Sequence, residues 1–172
     1  MWGAIGKAIN DTIIKGKTKP LNKIVEEDSY DSYYNSMLTY VSAYGNNGGT
    51  IGIIPLGVTT VTEANGFAEN SDVRTFVIPR TVTAIGGGAF RNCSSLISVI
   101  IPKSVTSISG GAFNGCASLG SIYLPSSIKG ISSVFNNCTS LTDIYVEWEE
   151  GKIAGAPWGA PNAVVHYKSS DD

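Results

Sequence analysis

Phe90-Arg91-Asn92-Cys93-Ser94-Ser95-Leu96-Ile97-Ser98-Val99-Ile100-Ile101-Pro102 is the best copy of a unit that runs through the middle of the chain. Phe67, Phe90, Phe113 and Phe135 fall 23, 23 and 22 residues apart, and Cys93, Cys116 and Cys138 follow in step. Pro55, Pro79, Pro102 and Pro125 keep the same beat. A fixed period of this length marks a solenoid, in which one supersecondary unit cannot bury its apolar face alone and must stack on its neighbours. Such an architecture favours binding or structural roles over catalysis, because stacked repeats yield long regular surfaces and few deep pockets.

Inside the unit, Val99 and Ile101 are two residues apart and so share one side of a strand. Pro102 lacks an amide hydrogen and ends the ladder there. Val105 and Ile108 then build a second wall, and Gly110-Gly111 permits the turn that delivers Ala112 and Phe113 to the next coil. The first wall recurs as Val73/Phe76/Ile78, Leu119/Ile122/Leu124 and Leu141/Ile144/Val146. The second recurs as Val58/Val61, Val82/Ile85 and Ile128/Ile131.

The composition is that of a folded protein. A hydrophobic content of 42% and a net charge of -2 argue against disorder and against a nucleic-acid partner, which calls for a basic excess. Gly and charged residues interrupt the apolar positions of the first 17 residues, so neither a signal peptide nor a membrane span is expected there. The three cysteines recur once per unit, which puts them in equivalent rather than facing positions and reads as buried small apolar residues. With no Cys-x-x-Cys and no histidine pair, no metal site and no cofactor is expected.

The pattern F-x-x-C-x-S-L-x-x-[VI]-x-[IL]-P, seen at Phe90–Pro102 and Phe113–Pro125, resembles the BspA-like class of leucine-rich repeats over about residues 50–147. The resemblance implies a β-rich, right-handed solenoid with a parallel sheet on one face. It also implies a role in surface adhesion and protein recognition rather than catalysis. Departures fall at both ends: Asn70 replaces Cys, Val73 replaces Leu, and Glu147 stands where Pro is expected. We divide the chain into a mostly helical attachment or capping segment (1–45), a solenoid of about four coils (46–147) and a C-terminal cap and tail (148–172). In the cap, Trp148 and Trp158 cover the last coil and Val164–Tyr167 close the sheet, since an uncovered end exposes core and strand edge.

The first 45 residues do not share the period. Trp2, Ile5, Ile9 and Ile13 form a helical stripe, and Leu21, Ile24 and Val25 form a second. Tyr30, Tyr33, Tyr34, Met37, Leu38, Val41 and Tyr44 form a third, with Gly45 as its stop. These segments either cap the first coil or attach the solenoid to another chain, including a second copy of itself. The opening Met1–Asn10 is similar to the starts of small bacteriophage and prophage proteins that carry such repeats. That likeness implies a virion component, with other virion proteins as partners of this segment.

Catalytic chemistry has little purchase. His166 is the sole histidine, so no second imidazole serves a metal site or proton relay; Cys138, the thiol a Cys–His dyad with it would use, sits on a column shared with two other cysteines, and Gly86-Gly87-Gly88 lacks the Lys-Ser/Thr of a phosphate loop. Glu147, Glu149 and Glu150 lack the alternating Asp/Asn of a calcium loop and read as a solvated face around Trp148. The suggestive surface follows from strand alternation. If Val99 and Ile101 point inward, stacking gives one outward column of Thr75, Ser98, Ser121 and Asp143 and another of Val77, Ile100, Tyr123 and Tyr145. A row of aliphatic and aromatic side chains on a sheet suits a partner, and Tyr123 with Tyr145 suits stacking on a sugar ring. The expectation is a non-enzymatic module, carried on a phage particle as a fibre or decoration protein, that meets a host surface protein or glycan. Its alternatives are a purely structural virion subunit and an adhesin on a bacterial cell surface.

Overall fold

A computed structural model describes residues 31, 32, 34, 35 and 51–169. Every paired strand in it is parallel, and the strands form two walls of a solenoid. The front wall holds β1 (Ile51–Ile53), β3 (Thr75–Val77), β5 (Ser98–Ile100), β7 (Ser121–Leu124), β9 (Asp143–Val146) and β10 (Val164–His166). The back wall holds β2 (Thr60–Val61), β4 (Ala84–Ile85), β6 (Ser107–Ile108) and β8 (Gly130–Ile131). The back wall is one continuous ladder, β2-β4-β6-β8, whereas the front wall is two ladders, β1-β3-β5 and β7-β9-β10. In register, Thr75, Ser98 and Phe76, Val99 align across β3 and β5, and Tyr123, Tyr145 and His166 align across β7, β9 and β10.

The repeat columns explain the coil. After β1, β3, β5 and β7 a Pro carbonyl accepts the amide three residues on, as in Val82 to Pro79 (3.0 Å) and Val105 to Pro102 (3.0 Å), and turns the chain toward the back wall. The third side is tied from coil to coil: the amides of Phe67, Phe90 and Phe113 donate to the carbonyls of Ala89, Ala112 and Val134. Two residues beyond each Phe, the backbone enters the left-handed region, at Glu69, Asn92, Gly115 and Asn137. Asn and Gly tolerate that conformation well, which accounts for the short Asn/Gly turn in the repeat.

One core runs the length of the described solenoid. Phe76, Phe90, Phe113 and Phe135 are buried side by side, with neighbouring ring centroids 4.5, 5.1 and 6.0 Å apart, and Phe67 joins at 4.8 Å from Phe76. The cysteines are more than filler. Sγ of Cys93, Cys116 and Cys138 lies 3.0, 3.2 and 3.1 Å from the carbonyl oxygens of Phe67, Phe90 and Phe113, so each thiol donates to the Phe one coil back. At the C-terminal end the buried Trp148 and Trp158 meet edge to face, 6.1 Å apart, and β10 pairs with β9.

Ahead of the solenoid, the described residues 31, 32, 34 and 35 are helical. Tyr34 is buried and its hydroxyl donates to the carbonyl of Ile54 (2.8 Å), while Asp31 pairs with Arg80. The expected stripe of Trp2, Ile5, Ile9 and Ile13 lies outside the described residues.

Candidate functional site

The two halves of the front wall differ on their outward side. Thr75, Val77 and Ile100 have 0% and Ser98 6% of their surface exposed, which corrects the expectation that all eight outward positions face solvent. Phe76 and Val99 lie in the solenoid core, so their strand neighbours point the other way. Among the described residues, Tyr34 and Asp31 reach this end from ahead of the repeats, through Ile54 and Arg80. Ser121, Tyr123, Asp143 and Tyr145, on the second ladder, remain accessible.

On that open half the outward column runs Tyr123, Tyr145, His166, one residue from each adjacent strand. The rings of Tyr145 and His166 stack at 4.5 Å with planes 14° apart. This separation matches the spacing of neighbouring strands, so the ring faces look along the sheet and the ring edges look outward. A sugar therefore does not lie flat on the face of Tyr145 that His166 occupies.

Glu147 organises the inner end of the same surface. Its Oε1 accepts from the hydroxyl of Tyr123 (2.8 Å) and pairs with Nζ of Lys103 (3.8 Å), and its Oε2 accepts from the amide of Ser126 (2.9 Å). Partial burial works against the Glu147 charge, but the Ser126 amide, the Tyr123 hydroxyl and Lys103 outweigh it and hold the carboxyl below its ordinary range. Burial first, and then the adjacent carboxylate, raise the Tyr123 phenol, so it stays a donor. Asp143 accepts from the Thr142 hydroxyl at Oδ2 and from Nε2 of His166 at Oδ1 (both 2.7 Å), and these bonds lower its pKa in that order. Lys103, Tyr123, Tyr145, Glu147, His166 and Lys168 line an open cleft of about 650 Å³.

Four of these residues, His166, Glu147, Lys103 and Lys168, were not singled out as binding residues from the sequence. His166 sits 21 residues after Tyr145, close to one repeat, so the period itself pointed to its place in the column. Glu147 occupies the column of Pro79, Pro102 and Pro125, and its amide donates to the carbonyl of Leu124 (3.2 Å), a bond a proline cannot make. Lys103 follows Pro102 and carries no periodic signal. Among the described residues no group of three or more His, Cys, Asp or Glu is placed to hold a metal ion.

A parallel two-walled solenoid with a Phe/Cys ladder and an outward sheet face defines a leucine-rich-repeat protein. Residues 60–153 match the model of the BspA type leucine rich repeat region in six copies, and the chain belongs to that family. Among solved structures it is similar to a leucine rich cell surface protein of Faecalibacterium prausnitzii A2-165, at 28% sequence identity and a TM-score of 0.46. The match covers 60% of this chain and 33% of that one, so the chain spans about a third of that protein's length. No curated protein matches.

Proposed function

We propose that the protein is a non-enzymatic recognition module that meets a protein or glycan partner at a bacterial cell surface. The observation that carries this reading is the asymmetry of the front wall: the outward side of β1-β3-β5 is buried, and β7-β9-β10 present Tyr123, Tyr145 and His166 beside an open cleft. Aromatic side chains in a partly enclosed, charge-flanked surface supply contact area at low entropy cost. Membership in a repeat family built of long regular surfaces supports the same reading. The placement on a phage particle rests on the first residues of the chain, which lie outside the described part, and the family match does not favour it.

The test is retention of the purified protein on intact bacterial cells and on mucin-coated surfaces, compared with Tyr145→Ser and Tyr123→Ser variants whose circular dichroism is unchanged. Loss of retention in the folded variants supports recognition by this face. Undiminished retention would place the contact elsewhere on the molecule.

A further inference from the structure

The carboxylates bordering the cleft already have donors on both oxygens: Glu147 from Tyr123, Lys103 and Ser126, and Asp143 from His166 and Thr142. The lining also supplies cationic donors. Lys168 is exposed at the cleft wall, and Lys103, whose ammonium pairs with Glu147, lines the same cleft. The stacked rings of Tyr145 and His166 add their edges, and an aromatic edge is the electropositive part of the ring. The charged residues of the lining, Lys103, Lys168 and Glu147, leave one net positive charge at the cleft in a chain of formal net charge -2.

An open cleft of about 650 Å³ is in the size range of sites for small ligands such as a sugar. We propose that the cleft binds an acidic glycan, with a carboxylate or sulfate group of one sugar held between Lys103 and Lys168 and against the ring edges of Tyr145 and His166. This deepens the recognition reading above and rests on it.

The experiment is titration calorimetry of the full chain with lactose, sialyllactose and sulfated lactose, repeated on Lys103→Met and Lys168→Met. Binding of one or both acidic sugars, little or none of lactose, and a loss of about tenfold in affinity for each methionine variant is the expected result. The carboxylated and sulfated arms tell which acid is preferred. Equal binding of lactose, or equal binding of an oligoglutamate peptide, would overturn the acidic-glycan assignment while leaving surface recognition standing. So would the absence of sugar binding in a protein that still needs Tyr145 to stay on cells, and there the partner is a protein. Absence of both sugar binding and Tyr145-dependent retention would overturn both readings.

Discussion

The amide of Phe135 donates to the carbonyl of Trp158 at 3.0 Å, the place that Ala89, Ala112 and Val134 fill for the three preceding Phe residues. Trp158 thus ends the coil-to-coil ladder with a residue of the cap, and its indole is buried with Nε1 donating to the carbonyl of Ala154 (2.9 Å). Truncating it removes a large side chain from the last core layer. Trp158→Ala should destabilise the protein by about 3–5 kcal/mol, read as a lower urea midpoint, while Trp158→Phe should retain more than half of the loss.

The thiol ladder makes a prediction in alkaline solution. Burial, the largest effect, pushes the Cys93 thiol up to about 11, above its ordinary value near 9.0. A raised folded pKa means the native state holds its proton longer than the unfolded chain, so this stabilisation is complete below about pH 9 and is lost as pH rises toward 11. Denaturation midpoints should fall across that window, and Cys93→Ala should flatten the fall while lowering stability at neutral pH. All three thiols should resist iodoacetamide until the protein is unfolded.

Gly115 has φ 78°, and a Cβ there would run into the side-chain oxygen of Asn92 one coil back. Gly115→Ala should therefore cost about 1–3 kcal/mol. Asn137→Gly, at the same column with φ 59°, should change stability by less, since glycine meets that backbone freely. Thermal unfolding of the two variants side by side checks this.

Glu147→Gln keeps the shape of the site and removes its charge. Because the folded carboxyl titrates below its ordinary value near 4.5, its contribution is present above that pH and is lost as pH falls toward the folded value. The variant should be about 1 kcal/mol less stable at pH 7, and its stability should decline less between pH 5 and 3 than that of the native chain. A stability profile in urea at several pH values reads both.

The repeat made most of the fold legible, because Phe, Cys, Leu and Pro each do one job per coil and the same job recurs. Val61, Ile85, Ile108 and Ile131 on the back wall, and Phe76, Val99, Ile122 and Ile144 on the front, lie where their period places them. The outward columns were only half legible. Strand alternation tells which way Val77 and Ile100 point, but not that both side chains are buried. The site residues escaped for related reasons: Glu147 breaks its column, Lys103 lies in the turn after Pro102 and Lys168 follows β10, and only the folded coils bring these positions to one cleft. The division of the front wall into two ladders has no signature in the repeat, since Ser98 and Ser121 occupy the same column on either side of the break.

The central claim is that the open half of the front wall, and no other face, meets the partner. The measurement that tests it most directly is retention on bacterial cells of two folded variants: His166→Ala with Tyr145→Ser on the front, and Ser107→Lys on the exposed back strand β6. The account predicts that the front variant is lost from the cells and the back variant is retained like the native protein. Undiminished retention of the front variant, whatever the back variant does, would contradict it.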